Sequence, residues 1–339
     1  AVGVRQVHPS LRVGGPATEH LNTQNFLAQA KAMGAPVDFV STHNYPTGPR
    51  SDGSGCPQGV EWAPDCFVHD VLRARAAIPA EVPFLITEYS VQVGEGMALA
   101  SGLGGQGEPP FQHDGPGAAA FVFRVVPQLA SKLDALSYWT FSDIFEENSI
   151  PTTEFHPVGV PFHQPHYGAM TLHGVPKPVW RAFELLHTHA GTHQVPVTTT
   201  IGDGDSTSPA VIAAAATVNL TAAGGVAPGS TRLFVSHWDA SGNASVHPSV
   251  AVAVTVRGVR SIADTATVWQ IDDGCAANLV WAKMGSPPVP TAVQLDTLVK
   301  ASQLIPHTVP VSHGGSAAAG TATLDLKLPP NSAAVIELH

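Results

Sequence analysis

Three short apolar runs of this sequence each end in a side chain able to do chemistry or to hold a ligand. "PFLITEYS" delivers Glu88, a carboxylate, the group used in acid, base and nucleophilic catalysis. "VDFVSTH" delivers His43, and "ALSYWTF" delivers Trp139, a large aromatic surface for packing or for a ligand. Just beyond Trp139, "SDIFEEN" holds Asp143, Glu146 and Glu147, acids whose crowding beside a strand end favours a polar pocket. A charged residue closing an apolar run sits at the rim of a sheet, where ligands bind in parallel α/β folds. Singly, each residue has a plainer role: a solvated Glu opening a loop, a satisfied core His, a packed Trp, surface acids. Their recurrence at successive strand ends sets them apart.

The elements that position them alternate. From residue 1 to 194 the strands "LRVGG", "VDFVSTH", "FLITEYS" and "ALSYWTF" are separated by helical patterns in "EHLNTQNFLAQAKAMG", "CFVHDVLRARAAIP" and "GPGAAAFVFRVVPQLASKL". A last helix, "KPVWRAFELLHTHAG", follows. The order β, α, β, α, β, α, β, α predicts parallel strands. A doubly wound sheet carries a Gly-rich phosphate loop after its first strand, and none fits here. "GLGGQGEPP", which follows Glu88 at a distance and opens no helix, reads as a loop on the active-site side. The other parallel architecture is the eight-stranded TIM barrel, whose functional residues sit at the C-terminal strand ends. From 195 to 339, runs such as "STRLFVSHWDA", "SVAVAVTVRGV", "GTATLDLKL" and "SAAVIELH" predict an antiparallel β-sandwich. Alternation in "RLFVSHW" and "TLDLKL" assigns one face to the core and one to water.

Composition narrows the function class. A net charge of −10 offers no broad basic surface, which argues against nucleic acid as a partner. No stretch is long and apolar enough to span a bilayer. The first ten residues lack the apolar core of a signal peptide, as in a mature or excised product. The 17 His are scattered; "HTHAGTH" (His187, His189, His193) comes closest to a ligand cluster but lacks the Cys or carboxylate of a usual zinc site. No metal and no cofactor are expected. "CPQGVEWAPDC" encloses a short loop that a Cys56–Cys66 disulfide closes in an oxidising compartment, leaving Cys275 unpaired. Sequons at Asn219 ("NLT") and Asn243 ("NAS") also suit a secreted or lumenal glycoprotein.

The motifs "LRVGGPAT", "PVDFVSTHNYP", "LITEYS", "ALSYWTFSDIFEE" and "GVPKPVWRAFELLH", in that order, resemble glycoside hydrolase family 39, the β-xylosidases and α-L-iduronidases. "WAKMGSPPVPTAVQLDTLVKAS", from Trp281 to Ser302, resembles a segment of the family's β-sandwich. The resemblance implies a retaining glycosidase working by double displacement with two carboxylates. Glu88 matches the nucleophile at the end of barrel strand seven. His43 and Tyr45 match positions lining the sugar pocket, Trp139 stands at strand eight, and Glu146 and Glu147 fall where the family holds sugar hydroxyls. The family's acid/base, the Glu of an Asn-Glu-Pro motif at strand four, has no match here. In family order, strands one to four fall upstream of Ala1. The expectation is therefore the second half of a barrel (1–194) followed by a β-sandwich (195–339), the missing half coming from the parent chain or another polypeptide. Glu19 reads as a first-turn helix charge rather than a replacement acid. Few Lys and Arg lie near the strand ends, which favours neutral xylosides over uronic acids. The competing expectation is a non-catalytic carbohydrate-binding or structural glycoprotein on the same scaffold.

Overall fold

The computed structural model describes residues 2–18, 23–46, 64–91, 113–144, 151–157, 166–200, 211–239, 248–258, 263–314 and 320–339. The chain forms two compact units, Ala1–Glu108 with Val125–Phe141, and Pro109–Arg124 with Ser142–His339.

In the first unit a short helix α1 (Val2–Val7) precedes strand β1 (Gly14–Pro16), helix α2 (Thr23–Ala32), strand β2 (Phe39–His43), helix α3 (Pro64–Ala76) and strand β3 (Phe84–Tyr89). Helix α4 (Pro116–Leu129), divided between the units at Arg124, leads into strand β4 (Ala135–Tyr138). The strands form one parallel sheet in the order β1-β2-β3-β4, as the alternation predicts. Val40, Phe84 and Ile86 are fully buried, and Phe67 of α3 packs on Tyr89 with ring centroids 5.8 Å apart. Helix α2 stops before Gly34, whose φ of +62° is the left-handed conformation glycine adopts cheaply after a helix end. Gly14 is required by proximity: a Cβ there would lie 2.2 Å from the Phe39 carbonyl oxygen.

In the second unit helix α5 (Pro178–His189) starts with Pro at its first position, where the missing N–H costs nothing. Strands β5 (His193–Val195), β6 (Val211–Val218), β7 (Thr231–Trp238), β8 (Val250–Arg257) and β9 (Thr265–Ile271) follow, then helices α6 (Ala277–Lys283) and α7 (Ala292–Ala301). Strands β10 (His307–Pro310), β11 (Ser312–Gly314), β12 (Thr321–Leu328) and β13 (Ser332–Leu338) end the chain. All are antiparallel, in a six-stranded sheet, β10-β9-β13-β7-β6-β5, and a three-stranded one, β11-β12-β8. Leu233, Val235, Val268 and Ile336 of the first and Val254, Leu324, Leu326 and Leu328 of the second share one apolar core.

The alternation expected in β12 is present, Leu324, Leu326 and Leu328 inward and Asp325 and Lys327 outward. In β7 it is absent, and this corrects the sequence reading: Leu233 to Trp238 are all buried. The second face is covered, with Phe234 against Phe123 of α4 at 5.9 Å. Helices α6 and α7, not anticipated as helices, bury Trp281 and Leu298 against Phe155 and Val175. Helix α7 opens with a capping box, Thr291 accepting from the Gln294 N–H and Gln294 bonding back. Cys66 is disulfide-bonded, Cys275 is a buried free thiol, and Cys56 lies outside the described residues.

Candidate active site

The C-terminal ends of β2, β3 and β4 bring three of the expected residues to one edge of the parallel sheet. Strand β3 carries Glu88 near its end, and β2 ends on His43. Both the β2–β3 and β3–β4 pairings shift register next to these residues, between Thr42 and His43 and between Ile86 and Tyr89. Such irregularities re-aim side chains and collect beside active sites. The main chain past β2 is held in turn, since the Asn44 N–H donates to the Glu88 carbonyl at 3.1 Å. Trp139 follows β4 directly, its N–H donating to the Tyr89 carbonyl at 2.8 Å.

Glu88 is the centre of the arrangement. The Tyr45 hydroxyl donates to its Oε2 at 2.8 Å, and His43 Nε2 stands 3.5 Å from its Oε1. The His43 and Glu88 side chains keep 19% and 31% of their exposure, so both remain reachable. Tyr45 is buried, and toward a carboxylate its hydroxyl can only donate. A carboxylate oriented through one oxygen, beside an imidazole and close to solvent, can attack an electrophilic carbon or exchange a proton. Thr87, which the sequence reading passed over as an ordinary strand residue, lies within 3.2 Å of His43 Nδ1.

Glu146 and Glu147, the other expected substrate-binding residues, lie outside the described residues, as does Asn243. Asn219 is exposed directly after β6, its Oδ1 accepting from the Thr192 N–H at 3.0 Å.

Asp143 is not the pocket acid that its neighbours suggested. It is fully buried in the second unit, where Lys177, also fully buried, places Nζ 2.8 Å from Asp143 Oδ2 and 2.8 Å from Asp114 Oδ1. Lys177 also donates to the His166 carbonyl at 2.9 Å, and Asp143 Oδ1 accepts from the Gly168 N–H at 2.7 Å. Burial alone would raise the Asp114 carboxyl, but the Lys177 charge overcomes it and leaves Asp114 below the usual carboxylate range. Burial likewise opposes the Lys177 charge, yet its two carboxylates hold it above the ordinary lysine value. His113 beside them is pushed down to about 3 by burial and by Lys177, so it stays neutral. Asp114, Asp143 and His166 form the one group among the described residues with metal-ligand spacing. The lysine ammonium already supplies the cation there. Of the "HTHAGTH" histidines, His189 lies on Trp269, ring centroids 4.2 Å apart, and 3.5 Å from Glu337, while His187 and His193 are exposed.

Comparison with known proteins agrees with this architecture. The family model for "Glycosyl hydrolases family 39" matches residues 1–318. A beta-xylosidase of Caldicellulosiruptor saccharolyticus is 26% identical over 350 aligned residues, covering 100% of this chain and 62% of the relative. A beta-xylosidase of Geobacillus stearothermophilus is 29% identical over 197 residues, 55% of this chain and 35% of its own. The crystal structure of a monomeric beta-xylosidase from Caulobacter crescentus CB15 superposes with a TM-score of 0.66 at 26% identity, covering 100% of this chain and 63% of that one. The chain thus spans less than two thirds of the relatives it matches along its whole length. With a mixed α/β fold and a family match running through nearly all of its sequence, the chain belongs to glycosyl hydrolases family 39.

Proposed function

We propose that the protein is a retaining, xylosidase-like glycoside hydrolase in which Glu88 is the nucleophile. The observation that carries this reading is the Glu88 carboxylate at a C-terminal strand end, bonded through one oxygen to Tyr45 and flanked by His43. In double displacement Glu88 attacks the anomeric carbon while a second carboxyl protonates the leaving oxygen; that group then activates water to release the sugar. The second carboxyl comes from a segment beyond these 339 residues, in the parent chain or another polypeptide. Placed for retention, it stands about 5–5.5 Å from Glu88. Tyr45 orients Glu88, His43 bonds a sugar hydroxyl, Trp139 stacks on the sugar ring, and Glu146 and Glu147 hold further hydroxyls.

In this reading residues 1–194 form strands five to eight of a (β/α)8 barrel, and 195–339 a β-sandwich. Secretion or lumenal location, glycans on Asn219 and Asn243, and a Cys56–Cys66 bridge belong to the same proposal. Cys66 in a disulfide and Asn219 exposed both support it. The test is to trap the whole protein with a 2-deoxy-2-fluoro xyloside bearing a good leaving group and to map the adduct by peptide mass spectrometry. Label on Glu88 is the expected result, and Glu88→Gln abolishes both label and turnover. Turnover with label elsewhere overturns the assignment. Sugar binding without any turnover favours the carbohydrate-binding alternative.

A further inference from the structure

Beside Glu88, the Thr87 hydroxyl makes two contacts that fix a proton. Thr87 Oγ1 lies 3.2 Å from the Thr42 carbonyl oxygen and 3.2 Å from His43 Nδ1. A hydroxyl has one proton to donate, and a backbone carbonyl can only accept. Both contacts are hydrogen bonds together in one arrangement alone: Thr87 donates to Thr42, and its oxygen accepts from an N–H on His43 Nδ1. The Thr42 carbonyl falls where the β2–β3 ladder is interrupted by its register shift, the kind of place where a side chain takes over a backbone bond.

We propose that Thr87 is a positioning residue that holds His43 as the Nδ1–H tautomer, so that the neutral ring presents a bare Nε2, an acceptor for a sugar hydroxyl, beside the nucleophile. The sugar in this statement rests on the proposed function; the tautomer does not. The geometry around Glu88 agrees. Nε2 is 3.5 Å from Oε1, too far for an ordinary N–H···O bond, while Oε2 is already engaged by Tyr45. With its proton on Nδ1, His43 leaves Oε1 free to attack. The other tautomer would aim an N–H at Oε1 and draw the two groups closer than the 3.5 Å observed, into a bond that engages the lone pair the reaction needs.

The test is ¹⁵N NMR of the whole protein labelled at histidine, at a pH where the His43 ring is neutral, with His43→Gln to assign the signal. The expected wild-type spectrum shows a protonated Nδ1 and an unprotonated Nε2. Thr87→Ser keeps that pattern, and Thr87→Val moves the proton to Nε2. The expected cost of Thr87→Val on kcat/KM for an aryl xyloside is about tenfold, the worth of one hydrogen bond, restored by Thr87→Ser. A wild-type ring protonated on Nε2 overturns the proposal without need of any variant, and so does a Thr87→Val protein that keeps the proton on Nδ1. If the tautomers behave as expected but the whole protein cleaves no xyloside, the tautomer assignment is upheld and the proposed function falls.

Discussion

Around Glu88 and around Lys177 the chain gathers ionisable side chains in two opposite ways. The Glu88 group sits at a sheet edge, keeps part of its surface in water, and leaves one carboxylate oxygen without a hydrogen bond among the described residues. The Lys177 group is sealed, with Asp114 and Asp143 each 2.8 Å from the ammonium. A sealed charge is expensive unless paired, and once paired it has nothing left to offer a substrate. An exposed one costs little and remains reactive. The contrast separates a charge cluster that ties loops together from one that can do chemistry, a distinction that acidic character alone does not make.

The sharpest way to break this comparison is to remove the buried ammonium. Lys177→Met strands two buried carboxylates, and urea unfolding should show a loss of about 3–5 kcal/mol. The triple variant Asp114→Asn, Asp143→Asn, Lys177→Met removes the charges together and should recover most of that loss. Equal stability of the single and triple variants would mean that charge pairing is not what the cluster contributes. At the other site the expectation reverses: Tyr45→Phe should lower kcat/KM about tenfold through the lost hydrogen bond to Glu88, with a smaller effect on unfolding. A Tyr45→Phe protein that loses stability but not activity would make that site structural as well.

The mildest perturbation is pH. Asp114 is lowered in the folded state, so its stabilisation is present above the unfolded value of about 3.9 and is lost as pH falls through the folded value. Lys177 is raised, so its share is complete below the unfolded value of about 10.4 and is lost as pH rises through the folded value. The stability difference between wild type and the triple variant should therefore be flat near neutrality and should change at both extremes. A difference that stays constant into acid would count against an ionised Asp114.

The placing of Glu88, His43 and Trp139 at one end of the parallel strands was legible because the information is local. Glu88, His43 and Trp139 each close an apolar run, and the turn of chain after β2 that carries Tyr45 follows at once. The long strands and helices were legible for the same reason, through periodicity. What escaped was set by distant partners. Strands β5, β10 and β11 are three or four residues long and mostly exposed, so they carry no pattern of their own. The alternation in "RLFVSHW" gave no hint that Phe123 covers the far side of Phe234. Asp143 looked like its acidic neighbours because nothing near it in sequence announces Lys177. Thr87 was invisible as a site residue, since a β-branched residue inside a strand needs no explanation.

Cys275 shows what burial does to a sulfur that the fold leaves single. Its thiol is 3% exposed and donates to the Asp272 carbonyl at 3.3 Å. Burial pushes its pKa up to about 11. At neutral pH about one molecule in ten thousand then carries the thiolate, the species that attacks a disulfide. The Cys66 bridge is therefore safe from scrambling once the chain has folded, even though an odd cysteine shares the molecule. The vulnerable interval is before Cys275 has been buried, so an oxidant added ahead of collapse is what would lower the yield of correctly bridged protein.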